Sequence, residues 1–172
     1  MSDQPNSDTA LVIAAFGKAP ELKLEMAKIR EAESRYIEAK TVNPSTYVDL
    51  EHSFNESYRD LKRHVSSIGY HLTLAQKALS EAKADVILGS YADYLADKPK
   101  YADSTARMEA YLSKDPAYSA AFDRVAQLKA LENHFDGKIK VVENVCRYMR
   151  KKMDLIIRSG LTDSGMYTQG KR

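Results

Sequence analysis

Apolar side chains recur along the middle of the chain at steps of four and three without a miss: Phe54, Tyr58, Leu61, Val65, Ile68, Leu72, Ala75, Leu79, Ala82 and Val86. An α-helix turns once per 3.6 residues, so this rhythm draws a single stripe down one side of it. Such a heptad seam packs against another helix. It predicts a helix over residues 46–95, opened by the capping-box spacing of Thr46 to Asp49 and stopped by Lys98-Pro99. Gly69 and Gly89 fall inside it and weaken it, by roughly 1 kcal/mol each relative to Ala.

The rest of the pattern is also helical. Leu22, Met26, Ile29, Tyr36 and Ile37 fall mostly on one side of a helix over 21–41, which Asn43-Pro44 breaks because a residue before proline is pushed out of the α region. Ser104 caps a short helix over 105–112. After Lys114-Asp115-Pro116, a last long helix runs over 116–159, with Pro116 tolerated in its first turn and Gly160 closing it. Residues 1–18 and 161–172 read as flexible tails around a single helical domain over 19–160. No strand pattern and no internal repeat stands out. The expected fold class is all-α, with long amphipathic helices in a coiled-coil-like hairpin or bundle.

The last helix carries two seams. Phe135, Ile139, Val142, Cys146, Met149, Met153 and Ile156 form one, and Val141, Val145, Tyr148 and Leu155 form its neighbour. Together they span an arc of about 200° at 100° per residue, wider than an ordinary two-helix contact needs. One seam is expected to close the subunit and the other a contact between copies, through Val141, Val145, Tyr148, Met149, Met153, Leu155 and Ile156. The rival arrangement is one thick core inside a monomer. Lys140, Arg147, Arg150, Lys151 and Arg158 fill the remaining arc.

That arc changes the meaning of a net charge of only +2. Residues 138–158 hold seven cations against two acids, so the rest of the chain is slightly acidic and the basic character is local. Scarce Gly (7) and Pro (5) favour long helices over a turn-rich β fold. The longest apolar run, residues 10–16, is far short of the roughly 18–20 needed to cross a bilayer. The SDQPNSD before it lacks the cationic start of a signal peptide. A single cysteine, Cys146, fits a reducing compartment, so the expected location is the cytoplasm.

No catalytic constellation emerges, and an enzyme is not expected. His64 and His71 stand seven apart rather than the four that lets a helix chelate zinc, and the Glu-x-x-His of di-iron bundles is absent, as are phosphate-loop and nucleophile-elbow motifs. No cofactor or metal is expected. Cys146 sits on a seam as a small hydrophobe. A membrane-surface helix would want Trp or Phe on its lipid side, but Trp is absent and the apolar arc is taken by heptad packing.

Cations in register can displace the counterions of a nucleic acid, although a plain solvated face has the same composition. Tyr91, Tyr94, Tyr101 and Tyr111 gather around a turn with Lys98 and Lys100, as rings and lysines do where single strands stack. Tyrosines closing the ends of a bundle would give the same pattern.

Three segments in this order, SSIGYHLTLAQKALSEAKADVILGSYADYL, MEAYLSKDPAYSAAFD and the basic helix ending MRKKMDLIIRSG, resemble the UvsY family of phage recombination mediators over roughly residues 45–160. Ser66-Ser67-Ile68, Leu112-Ser113 and Asp115 carry the likeness. The resemblance implies a ring-like homo-oligomer without enzymatic activity that binds single-stranded DNA. It would help a recombinase replace single-strand-binding protein, in the host bacterial cytoplasm if phage-encoded. Relatives carry Lys-x-Arg on the second helix, and this chain has Lys83-Ala84-Asp85, so Lys83 carries over and the arginine does not.

Two DNA-binding surfaces are therefore expected: Lys83, Lys98 and Lys100 with Tyr91 and Tyr94, and Arg147, Arg150, Lys151, Lys152 and Arg158. A structural coiled-coil scaffold without nucleic-acid binding is the alternative.

Overall fold

The computed structural model describes residues 10–96 and 104–166, with side chains through Gly160. The described chain is mostly helical: β1 (Ala10–Ile13), β2 (Leu22–Glu25), α1 (Ala27–Ser34), α2 (Tyr36–Lys40), α3 (Pro44–Leu88), α4 (Ser90–Ala96), α5 (Thr105–Leu112) and α6 (Pro116–Met166). The two strands pair as one small sheet.

That sheet corrects the expected helix over 21–41 and the expected tail through residue 18. Leu22-Lys23-Leu24-Glu25 alternates apolar and charged, and both leucines are buried while Lys23 and Glu25 are exposed. The helical pattern had used Leu22 and Met26, four apart, and left Leu24 unplaced. Phe16 and Ala19 exchange backbone bonds of 3.0 and 2.9 Å around Gly17-Lys18. Gly17 sits at φ +56°, so the turn has glycine at its first central position, the type II′ arrangement that matches strand twist.

Two helix ends also move. Asn43, expected as a breaker, is the cap of α3: its Oδ1 accepts from the backbone N–H of Ser45 (3.0 Å) and Thr46 (3.2 Å), and Thr46 Oγ1 accepts from Asn43 N–H (3.2 Å). Pro44 then occupies the first helical position, where its missing N–H costs nothing. Asp49 pairs with Arg35 instead of a backbone donor. At the other end of the chain α6 continues through Gly160 to Met166.

The described residues divide into two compact units. Of the described residues, the first holds Ala10 and Leu11, Leu24–His64, and α6 from Phe135. Leu50, Phe54 and Leu61 of α3 are buried there, as are Phe135, Ile139, Val142, Cys146 and Met149 of α6, and Leu24, Ile29 and Ala32 from the N-terminal part. Fully burying each large side chain stabilises by about 1.5–3 kcal/mol. Phe54 stacks on Tyr36, with centroids 5.6 Å apart. His64 Nε2–H donates to the carbonyl of Glu25 (2.6 Å), and its ring meets Phe135 edge-on. Lys28 pairs with Glu56, and Lys138 with Glu33.

The second unit holds Val12–Lys23 and Val65–His134. Ile68, Leu72 and Ala75 continue the α3 seam into it, and Ala121, Val125 and Leu128 are buried on α6. Val86, Tyr91 and Leu112 form a further cluster, with Met108, Tyr111 and Tyr118 against it. Ser104 Oγ caps α5 by accepting from Arg107 N–H (3.3 Å), and Asp115 caps α6 through Tyr118 N–H (2.8 Å).

The expected 46–95 helix is interrupted at Gly89, beside Ser90, a pairing at which helices kink. A Cβ at Gly89 would stand 2.8 Å from the Asp85 carbonyl oxygen. Gly89→Ala should therefore lower the melting temperature in thermal unfolding, where a regular helix interior would gain about 1 kcal/mol.

Candidate nucleic-acid interface

The cations of α6 in the first unit do different jobs, and their partners sort them. The last carbonyls of a helix have no partner within it. Lys40 closes α2, and its carbonyl accepts from Lys152 Nζ (2.7 Å) and from the Tyr148 hydroxyl (3.2 Å). Lys152 is thus a helix-end clamp, a use that also suits the negative end of the helix dipole.

Arg150 is held by Glu51 (3.2 Å), which also accepts from the Tyr47 hydroxyl (2.9 Å). Its guanidinium is raised above the ordinary arginine value, first by the Glu51 hydrogen bond and then by the one with Tyr47. Arg147 and Lys151 are exposed and make no ion pair among the described residues, and Lys140 is in the same position. Arg158 is exposed as well. At 100° per residue, Lys140, Arg147, Lys151 and Arg158 fall in one row along α6.

An open groove of about 530 Å³ lies beside that row, between α3 and α6. Val142 and Cys146 supply its apolar part, Arg147, Arg150 and Lys151 its cations, and Glu143 and Asp154 two acids. From α3 come Asn55 and Tyr58, neither expected from the sequence. Tyr58 had been read as a seam residue only; it is half-buried, and its hydroxyl donates to Glu143 (3.2 Å). The Lys62 ammonium lies 5.5 Å from the Tyr58 ring centroid. A tyrosine at a seam position with a lysine one turn on was the available signal. Burial pushes the Cys146 thiol up from its ordinary value, so at neutral pH it carries no thiolate.

The second apolar seam is where the sequence placed it for Val141, Tyr148 and Leu155, which are 45%, 48% and 67% exposed. Val145, Met153 and Ile156 are half-buried. Met149 departs from expectation: it is fully buried in the first unit and has no surface to offer another copy. On the helix it lies about 80° from Val141, toward Val142. Val141, Val145 and Tyr148 line a mainly apolar groove of about 700 Å³ with Tyr36, Ala39 and Lys40 of α2.

The other expected surface belongs to the second unit. Tyr91 is only 3% exposed, and its ring packs against those of Tyr94 (6.1 Å) and Tyr111 (5.3 Å), so it has no free face for a base. The Tyr111 hydroxyl donates to the Ser90 carbonyl (3.1 Å). These rings serve as packing at the end of the α3 seam. Tyr94 is 38% exposed and Lys83 is exposed. Lys98, Lys100 and Tyr101 lie outside the described residues.

Among the described residues no three or more His, Cys, Asp or Glu side chains are placed to hold a metal ion, and no helix is long and apolar enough to cross a membrane. Comparison with family models, with characterised proteins and with solved structures gives no match.

Proposed function

We propose that this protein is a homo-oligomeric mediator of recombination that binds single-stranded DNA. The observation that carries the reading is the row of exposed cations on α6 in which Arg147 and Lys151 make no ion pair among the described residues. Arg150 and Lys152, by contrast, are engaged by Glu51 and by the Lys40 carbonyl. Unpaired cations in register give up little on meeting phosphates and release condensed counterions. Lys83 and Tyr94 remain a second contact surface in this reading, with Lys98 and Lys100. Tyr91 does not.

The neighbouring apolar strip is the surface through which copies associate, by a coiled-coil-like contact that closes into a ring. Large apolar side chains left exposed side by side mark interaction surfaces. The resemblance to UvsY proteins supplies the rest of the role: loading a recombinase onto single-stranded DNA in place of single-strand-binding protein, in the host cytoplasm.

The test uses Arg147→Gln with Lys151→Gln against a labelled oligo-dT. The double variant should keep its fold, bind roughly tenfold more weakly, and lose about 1.4 from the slope of log K on log salt, at about 0.7 per phosphate. Wild-type binding that ignores salt sinks the reading and leaves the scaffold alternative. Native mass spectrometry at micromolar concentration checks the oligomer, and monomer alone would remove it.

A further inference from the structure

We propose that the groove between α3 and α6 in the first unit is a base pocket. One unstacked nucleobase enters beside Tyr58, and Glu143 and Asp154 read the hydrogen-bond donors on its edge. The inference rests on the single-strand reading above and extends it from attraction of phosphate to recognition of the base.

The mixture of groups carries the argument. A surface built only for phosphate has no use for carboxylates, which repel it, yet Glu143 and Asp154 line the same groove as Arg147 and Lys151. What a carboxylate takes from a nucleic acid is an N–H. The edges of single-stranded bases expose these donors, whereas in a duplex they are used in pairing. The volume of about 530 Å³ lies within the range of roughly 300–1,000 Å³ typical of small-ligand sites.

The half-buried Tyr58 ring gives the body of a base an aromatic face, the sequence-tolerant part of single-strand binding, over a floor of buried Val142 and Cys146. Asn55 adds an amide with both donor and acceptor. Arg147 and Lys151, in the same groove, are available for the phosphates that flank an inserted nucleotide. The Tyr58 hydroxyl already donates to Glu143, which fixes that carboxylate before a base arrives.

The chemistry also sets an order among bases. Guanine presents N1–H and its 2-amino group side by side, a pair that one carboxylate accepts together. Cytosine and adenine present an amino group, and thymine offers a single N3–H. The pocket therefore prefers guanine and is poorest for thymine.

Fluorescence anisotropy of the full chain with labelled oligo-dT and an alternating dG-dT strand of equal length tests this. The wild type should bind the guanine-bearing strand about tenfold more tightly, the discrimination one bidentate contact supplies. Glu143→Gln and Asp154→Asn, both exposed and isosteric, should keep the circular dichroism spectrum while bringing the ratio near one. Equal, salt-sensitive wild-type binding of both strands overturns the pocket and leaves the phosphate reading standing. A ratio that survives both substitutions also overturns it. Absence of binding to either strand at low salt ends the single-strand reading itself, and the pocket with it.

Discussion

Phe135→Ala is expected to cost about 3–5 kcal/mol in urea unfolding followed by circular dichroism, the usual range for removing a buried aromatic ring. Against a total stability of about 5–15 kcal/mol that is a large fraction. Phe135 opens the α6 seam of the first unit, is fully buried, and takes the edge of the His64 ring at 5.6 Å. That ring in turn donates to the Glu25 carbonyl at the end of β2. Losing the phenyl leaves a cavity and frees the imidazole from the wall that orients it, so the amides near Glu25 should also exchange faster. Lys140→Ala, on the exposed polar row of the same helix, is the control, and its effect should stay near ±0.5 kcal/mol. A Phe135→Ala cost below 1 kcal/mol would contradict the packing described here.

The contrast between those two positions marks what a one-dimensional pattern can reveal. Both α6 seams were legible because 3.6-residue periodicity separates faces, and the α3 seam was legible for the same reason: Phe54, Leu61, Ile68, Leu72, Ala75 and Val86 are all buried. α5 and its Ser104 cap were legible because cap and helix are sequence neighbours. The β1–β2 sheet was not. Its strands have four residues each, and Leu22 with Met26 imitates a helical step. Nor were Arg150 and Lys152 separable from Arg147 and Lys151. Their partners, Glu51 and the Lys40 carbonyl, lie about a hundred residues away in sequence, beyond any local spacing. The acceptors that take a cation out of service are tertiary, so the candidate site was readable as a charge stripe and unreadable as a set of available charges.

Acid should loosen the second unit, and Arg124 is the reason its hairpin responds. Arg124 of α6 is almost wholly buried without a carboxylate among the described residues. Its Nη2 donates to the Ala14 carbonyl (2.6 Å), and its guanidinium lies 5.9 Å from the Phe16 ring centroid. Beside it on α3, buried His71 has no partner for Nδ1. Desolvation first, and the Arg124 charge second, hold the His71 imidazole below its ordinary value of 6.5. The folded state therefore favours neutral His71, while the unfolded chain takes up a proton near 6.5. The stability this contributes is complete above that pH and is lost as pH falls through it toward the lower folded value.

Melting temperature should drop between pH 7.5 and pH 5, and His71→Gln should flatten that part of the curve. Arg124→Met removes the second cause and leaves the first, so the acid dependence becomes shallower without vanishing. At pH 8 the same variant should expose the hairpin, because the Ala14 carbonyl loses a charged hydrogen bond of about 1.5–3 kcal/mol. Faster amide exchange confined to residues 12–23 is the expected sign. An acid dependence unchanged by His71→Gln would assign the effect to other groups, and unaltered exchange in Arg124→Met would show that the guanidinium does not hold the hairpin.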